Sequence, residues 1–101
     1  MTALGYTVRF DASASADVEA GFAWYERLRS GLGDEFVRSV AAGAESLERN
    51  PERFPVSRPP FRWVKLRRFP YGLHFVIQGE AVTVLACLHF RQSPSRWPGT
   101  Q

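Results

Sequence analysis

The chain has two histidines, His74 and His89, and these are its side chains that titrate near neutrality without help. Lys65, Arg67 and Arg91 lie in the same part of the chain. An imidazole can take or give a proton, and cations can hold the charge of an anionic centre, so the set has the ingredients of acid–base work on an anion. It suits carboxylates equally well, because guanidinium binds carboxylate and phosphate with the same forked geometry. Trp63 adds a flat apolar ring that could stack a base or anchor a protein partner. Cys87, the single cysteine, sits mid-way along an apolar run and reads as a small packing residue rather than a nucleophile. No metal-ligand cluster or cofactor motif is expected.

Whether these groups meet depends on the strands that carry them. Residues 62–69, 73–77 and 81–90 read as three consecutive antiparallel strands, rich in Val, Leu and aromatics. Pro70-Tyr71-Gly72 and Gln78-Gly79 mark the reversals between them. Alternation along the strands sorts their side chains into two faces. Val64, Leu66, Phe75, Val82, Val84, Ala86 and Leu88 are expected in the core. The other face would carry Trp63, Lys65, Arg67, His74, Thr83, Leu85, Cys87, His89 and Arg91. That face is cationic and partly apolar, and it looks open to receive a second polypeptide.

Upstream elements look built to cover the first face. Tyr6–Phe10 alternates as a short strand, and Asp11 suits the N-cap of a helix over 12–29. Val18, Phe22, Tyr25 and Leu28 form its apolar stripe, with Trp24 and Tyr25 read as packing residues. Gly31-Leu32-Gly33 reverses the chain into a second helix over 32–49, striped by Phe36, Val40, Ala44 and Leu47. Its small residues Ala41 to Ala44 would let the two helices of the hairpin approach closely. Asn50-Pro51 ends that helix. The connector over 50–61, with Pro51, Pro55, Pro59 and Pro60, reads as a stiff crossing pinned by Phe54 and Phe61. Beyond Ser93 an irregular tail is expected, docked through Trp97.

A chain of 101 residues is one domain, here taken as 1–101. No stretch has the roughly 20 apolar residues of a membrane span, and no export signal is visible. One cysteine allows no internal disulfide, which fits a reducing cytoplasm. The net charge of +3 is unevenly spread: from Arg53 onward Glu80 is the only acid. Such asymmetry points to an anionic partner, nucleic acid or an acidic protein segment.

Several pieces then fall in an order that resembles the ParE branch of the RelE/ParE toxins of bacterial type II toxin–antitoxin systems. They are Trp24-Tyr25-Glu26, Gly31-Leu32-Gly33 followed by Asp34-Glu35-Phe36, Asn50-Pro51, Arg67-Arg68-Phe69-Pro70-Tyr71, and His89-x-Arg91-x-x-Pro94-x-x-Trp97. The resemblance implies an α+β fold, β-α-α-β-β-β, with a helical hairpin on one face of an antiparallel sheet. It implies a cognate antitoxin whose segment folds onto the toxin in a hetero-oligomer, and a role in plasmid stabilisation and growth inhibition. Gln92 departs from the pattern, since many relatives carry a further basic residue there.

The resemblance leaves two activities to weigh. RelE-like members cleave messenger RNA on the ribosome, and that chemistry would fall to His89, Arg91, Arg67 and Lys65, with His74 as a second imidazole. After His89 no Tyr or His follows that could move a proton. ParE-like members poison DNA gyrase by contact, which would use the exposed helix faces and the tail residues Arg91, Arg96 and Trp97. A degenerate toxin that only binds its antitoxin is a third reading. The non-catalytic gyrase inhibitor is the preferred expectation, with Trp63, Lys65, Arg67, His74, Leu85, His89 and Arg91 as the antitoxin surface.

Overall fold

Asp11 opens the helical layer. Its extended backbone places the carboxylate to accept a hydrogen bond from the Ala14 N–H at 2.8 Å, satisfying one of the free amides of the first turn. In the computed structural model, which describes residues 5–92 and 96–98, this cap separates strand β1 (Thr7–Phe10) from helix α1 (Ala12–Leu28). Helix α2 (Leu32–Leu47) follows, then a single 3-10 turn (Pro51–Arg53). Strands β2 (Val56–Arg58), β3 (Phe61–Lys65), β4 (Tyr71–Gln78) and β5 (Ala81–His89) complete the chain. The two helices form a hairpin on one face of a sheet ordered β1-β5-β4-β3-β2, so the fold is α+β as expected.

The turn between the helices explains the Glu26 and Gly31-Leu32-Gly33 motifs together. Gly31 takes φ of +91°, a conformation open to glycine, and offers no side chain to cap α2. Glu26, from the preceding helix, does that work instead. Its carboxylate accepts from the Gly31 N–H at 3.0 Å and from the Gly33 N–H at 2.9 Å. Glu26→Ala should therefore cost about 1–3 kcal/mol, the usual penalty for orphaned donors, while Glu26→Gln retains one acceptor and loses less. Urea midpoints of the three proteins would order them; equal midpoints would show that solvent satisfies both amides.

Close approach of the helices is achieved by Gly21, not by the Ala41–Ala44 run. A Cβ on Gly21 would lie 2.6 Å from the ring of Phe36. In α2, Gly43 faces the sheet, where a Cβ would meet Leu66 at 3.0 Å and Leu73 at 3.1 Å. The α1 stripe is correspondingly shifted: Ala14 and Gly21 are buried, Val18, Phe22 and Tyr25 are half-buried, and Leu28 is 62% exposed. Tyr25 packs inward, whereas Trp24 is 52% exposed, so the packing expectation holds for one of the pair.

The sheet is mixed rather than wholly antiparallel, because β1 runs parallel to β5, with Val8 opposite Val82 and Phe10 opposite Val84. The proline-rich connector also contributes a strand: β2 pairs with the start of β3 at the sheet edge, where prolines cost no ladder bonds. Strand β3 stops at Lys65, so Arg67 and Arg68 lie in the reversal and not on a strand face. The Leu66 N–H donates to the Tyr71 carbonyl across that reversal at 2.9 Å.

A bulge at Leu85 decides which residues share a face. His74 pairs with Ala86, yet its neighbour Phe75 pairs with Val84, leaving Leu85 unmatched. Val82 and Val84 point to the helices, and both are fully buried. One extra residue inverts the alternation beyond it. Cys87 and His89 therefore turn toward the helices, opposite Leu73 and Tyr71, while Ala86 and Leu88 turn to the far face. This reverses the expectation for all four.

Candidate functional site

The far face of the sheet carries Trp63, His74 and Ala86 abreast on β3, β4 and β5, followed by Lys65, Gly72 and Leu88. It is not an open cationic platform. Trp97 packs on its centre, with its ring 4.9 Å from His74 and 6.1 Å from Trp63, and Phe90 meets Trp63 edge-on at 5.8 Å. His74 is left 2% exposed, and its Nδ1 has no hydrogen-bond partner among the described residues. Burial alone lowers its pKa from 6.5 to about 4, because water that would solvate the imidazolium is excluded.

His89 lies on the opposite face, beside the Tyr71 ring at 5.1 Å. Its Nδ1 accepts a hydrogen bond from the Arg91 N–H at 2.9 Å, and its own N–H donates to Gln92 Oε1 at 2.7 Å. Gln92, the residue that departs from the family pattern, thus closes the turn after β5. Tyr71 and Tyr25 pack together within the aromatic cluster, their ring centres 6.1 Å apart. Burial, then the neighbouring Tyr25, pushes the Tyr71 hydroxyl up to about 12. The fold therefore does not bring the two imidazoles together: a strand layer separates them, one buried beneath Trp97 and the other bonded within its own turn.

The cations disperse in the same way. Lys65 is exposed on the far face, with Nζ 5.9 Å from the centre of the Phe90 ring. Arg67 is exposed in the β3–β4 reversal, where its carbonyl accepts from Ser39 Oγ at 2.6 Å. Arg91 and Arg96 are exposed near the end of the chain, and Leu85 is half-buried at the bulge. Cys87 is buried in the core, and burial raises its thiol pKa to about 12, consistent with a packing role. Residues 93–95, including Pro94 of the closing motif, lie outside the described residues.

Asp17 supports the bulge. Strand β1 pairs with Ala81–Val84, so among the described residues the outer edge of β5 has no strand neighbour from Leu85 onward. There Asp17 Oδ2 accepts from the Cys87 N–H at 2.9 Å. Burial raises the Asp17 pKa, while the Cys87 bond works the other way. Its ionisation thus opposes folding: the stability of its neutral form is complete below the unfolded pKa and lost as pH rises through the folded one. Asp17→Asn, which keeps the acceptor without the charge, should hold stability at neutral pH within about 1 kcal/mol, whereas Asp17→Ala should lose about 1–3 kcal/mol. Thermal unfolding of both at pH 7 checks this; equal losses would mean the charge itself matters.

A groove that sequence reasoning missed runs between α2 and β3, with about 410 Å³ of open volume. Ser39, Ala42, Gly43 and Ser46 form its helical wall, and Val64 and Leu66 its floor. Arg49 and Arg53 stand at one end and Arg67 at the other. The signal was present: those four small residues recur at i, i+3, i+4 and i+7, a stripe reserved for close approach. A second, more apolar groove of about 470 Å³ lies between Phe10, Val18, Val37 and Ala41.

Comparison with known proteins agrees with this architecture. The family described as the ParE toxin of the type II toxin–antitoxin system parDE matches residues 8–94. A solved structure described as the chromosomal ParDE toxin–antitoxin system from P. aeruginosa has the same fold. Its TM-score is 0.75 at 19% identity, covering 83% of this chain and 95% of that one. A search of curated proteins returns no match. With helices, turns and closing strand in the family's order over nearly the whole length, the chain belongs to the ParE toxin family of type II toxin–antitoxin systems.

Proposed function

We propose that this toxin acts by protein–protein contact on DNA gyrase and is neutralised in the cytoplasm by a cognate antitoxin bound in a hetero-oligomer. The observation that carries the non-catalytic reading is the separation of the imidazoles. Ribonuclease chemistry of the RelE kind needs an acid, a base and cations around one phosphate. Here His74 is buried under Trp97, and His89 sits across the sheet with Nδ1 bonded to its own turn. A contact inhibitor has no such requirement. It needs exposed anchors, and Trp24 and Leu28 supply a pair one turn apart on α1, with the Arg27 guanidinium 5.8 Å from the Trp24 ring. The basic tail residues Arg91 and Arg96 offer a second contact.

The test is supercoiling by purified gyrase with the toxin added. Inhibition is expected, falling about tenfold or more for the double variant Trp24→Ala/Leu28→Ala. Undiminished supercoiling at excess toxin would reject the gyrase reading. Translation-coupled RNA cleavage abolished by His89→Ala would instead establish the ribonuclease.

A further inference from the structure

Helix α2 has two opposite faces. Phe36, Val40 and Leu47 are buried on its core side. At roughly 100° per residue, Asp34, Arg38, Ala41, Ala42 and Glu45 fall together on the outer side, and all five are exposed. Arg49 extends the same row just past the helix, because the C-cap Glu48 keeps helical dihedrals of −71° and −22°. Arg49 is exposed too. Along the helix the row reads acid, base, alanine pair, acid, base.

Two properties set this row apart from an ordinary solvated face. Asp34 with Arg38, and Glu45 with Arg49, stand four residues apart with the acid first, the favourable order for an ion pair along one helix. Neither pair forms: among the described residues both ion pairs use Glu35, with Arg29 and Arg68. The row is also its own complement. Asp34 and Arg49 lie equally far from the midpoint of Ala41 and Ala42, and so do Arg38 and Glu45. Turned end for end, it puts a base wherever an acid stood and an acid wherever a base stood.

We infer that α2 packs antiparallel on α2 of a second copy of this chain, across a two-fold axis at the Ala41–Ala42 step. This surface is independent of the gyrase and antitoxin readings. Asp34 meets Arg49 of the second copy and Arg38 meets its Glu45, each contact occurring twice, as a self-complementary interface requires. At the centre only methyl groups stand between the helices, so the backbones come close. Antiparallel axes also bring opposite macrodipole ends together. A parallel pair in register would set every charge against its like, so the pattern selects one orientation. The same balance identifies the occupant. In a chain of net charge +3 this row carries two acids and two bases, and offers a polyanion no net attraction. An unrelated helix would need this string in reverse, whereas a second copy has it by symmetry. A contact of one helix pair is small and its charges are at the surface, so the dimer is weak and sensitive to salt.

The test is sedimentation equilibrium of the full chain as wild type, Arg38→Glu, Glu45→Arg and the charge-swapped Arg38→Glu/Glu45→Arg. Wild type is expected to dimerise with a dissociation constant on the order of micromolar at low salt, weakening as salt is added. Each single variant sets like charges opposite each other and should weaken the dimer about tenfold or more. The double variant rebuilds both pairs with their signs exchanged and should recover most of the affinity. An equimolar mixture of the two single variants should form a heterodimer, because each altered charge then faces its opposite across the axis. Both positions are exposed, and circular dichroism verifies the fold of every variant. A wild type that stays monomeric at millimolar concentration would overturn the inference. So would a dimer indifferent to the single variants, or a loss that the double variant and the mixture fail to repair.

Discussion

Phe36→Ala is expected to remove about 3–5 kcal/mol of stability, the cost of deleting a fully buried ring. Against the roughly 5–15 kcal/mol available to a domain, that would leave much of the protein unfolded at growth temperature. Phe36 is the point where every layer meets. Its ring lies 5.3 Å from Tyr25 of α1, 5.4 Å from Phe69 of the β3–β4 reversal and 4.9 Å from Tyr71 of β4. The ring is fully buried, and α1 closes over it through the Gly21 contact. Gly21→Ala should also destabilise, although alanine favours a helix by up to about 1 kcal/mol, because the added methyl meets a ring that cannot retreat. The two sites should couple: Gly21→Ala placed on Phe36→Leu should cost less than on wild type. Additive losses in denaturant titrations would show that the helices part elsewhere.

The second large effect is acid lability from His74. Its pKa of about 4 in the fold lies below the 6.5 of an exposed imidazole. Between those values the unfolded chain binds a proton that the folded chain refuses. The neutral histidine's contribution is therefore fully present above pH 6.5 and is lost as pH falls toward 4. Linkage converts the difference into about 3 kcal/mol. Asp17, whose pKa is raised by burial, works in the opposite sense. His74→Phe keeps a flat ring between Trp63 and Trp97 and should remove most of the slope between pH 6.5 and 4.5. Chemical unfolding at three pH values measures this. Parallel losses in wild type and variant would place the sensitivity in other groups. Because Trp97 lies against this ring, the same protonation should loosen the tail and shift tryptophan emission before global unfolding.

Much of the architecture was legible from local chemistry. Asp11 as N-cap, Gly31-Leu32-Gly33 as the reversal, Asn50-Pro51 as the helix exit and Gly79 as the tight turn each have a cause within a few residues, and the structure places each there. The docking of Trp97 followed from a large ring in a short tail. The site was harder. A strict alternation put His89, Cys87 and His74 on one surface, and the Leu85 bulge divides them. Nothing in Val84-Leu85-Ala86 announces a bulge, since all three are ordinary strand residues. Its support, Asp17, is 70 residues away along the chain. The groove was missed for a related reason, because it lies between α2 and β3 and belongs to neither.

Residue order by itself determined the family, the helical hairpin, the strand runs and the lopsided charge, all of which depend on short-range pattern and composition. Tertiary structure alone decided which side of the sheet each functional side chain occupies, how far β2 covers β3, and that Trp97 seals His74 from water. A single unmatched residue inverts everything beyond it, and whether a strand carries one depends on its neighbours across the sheet.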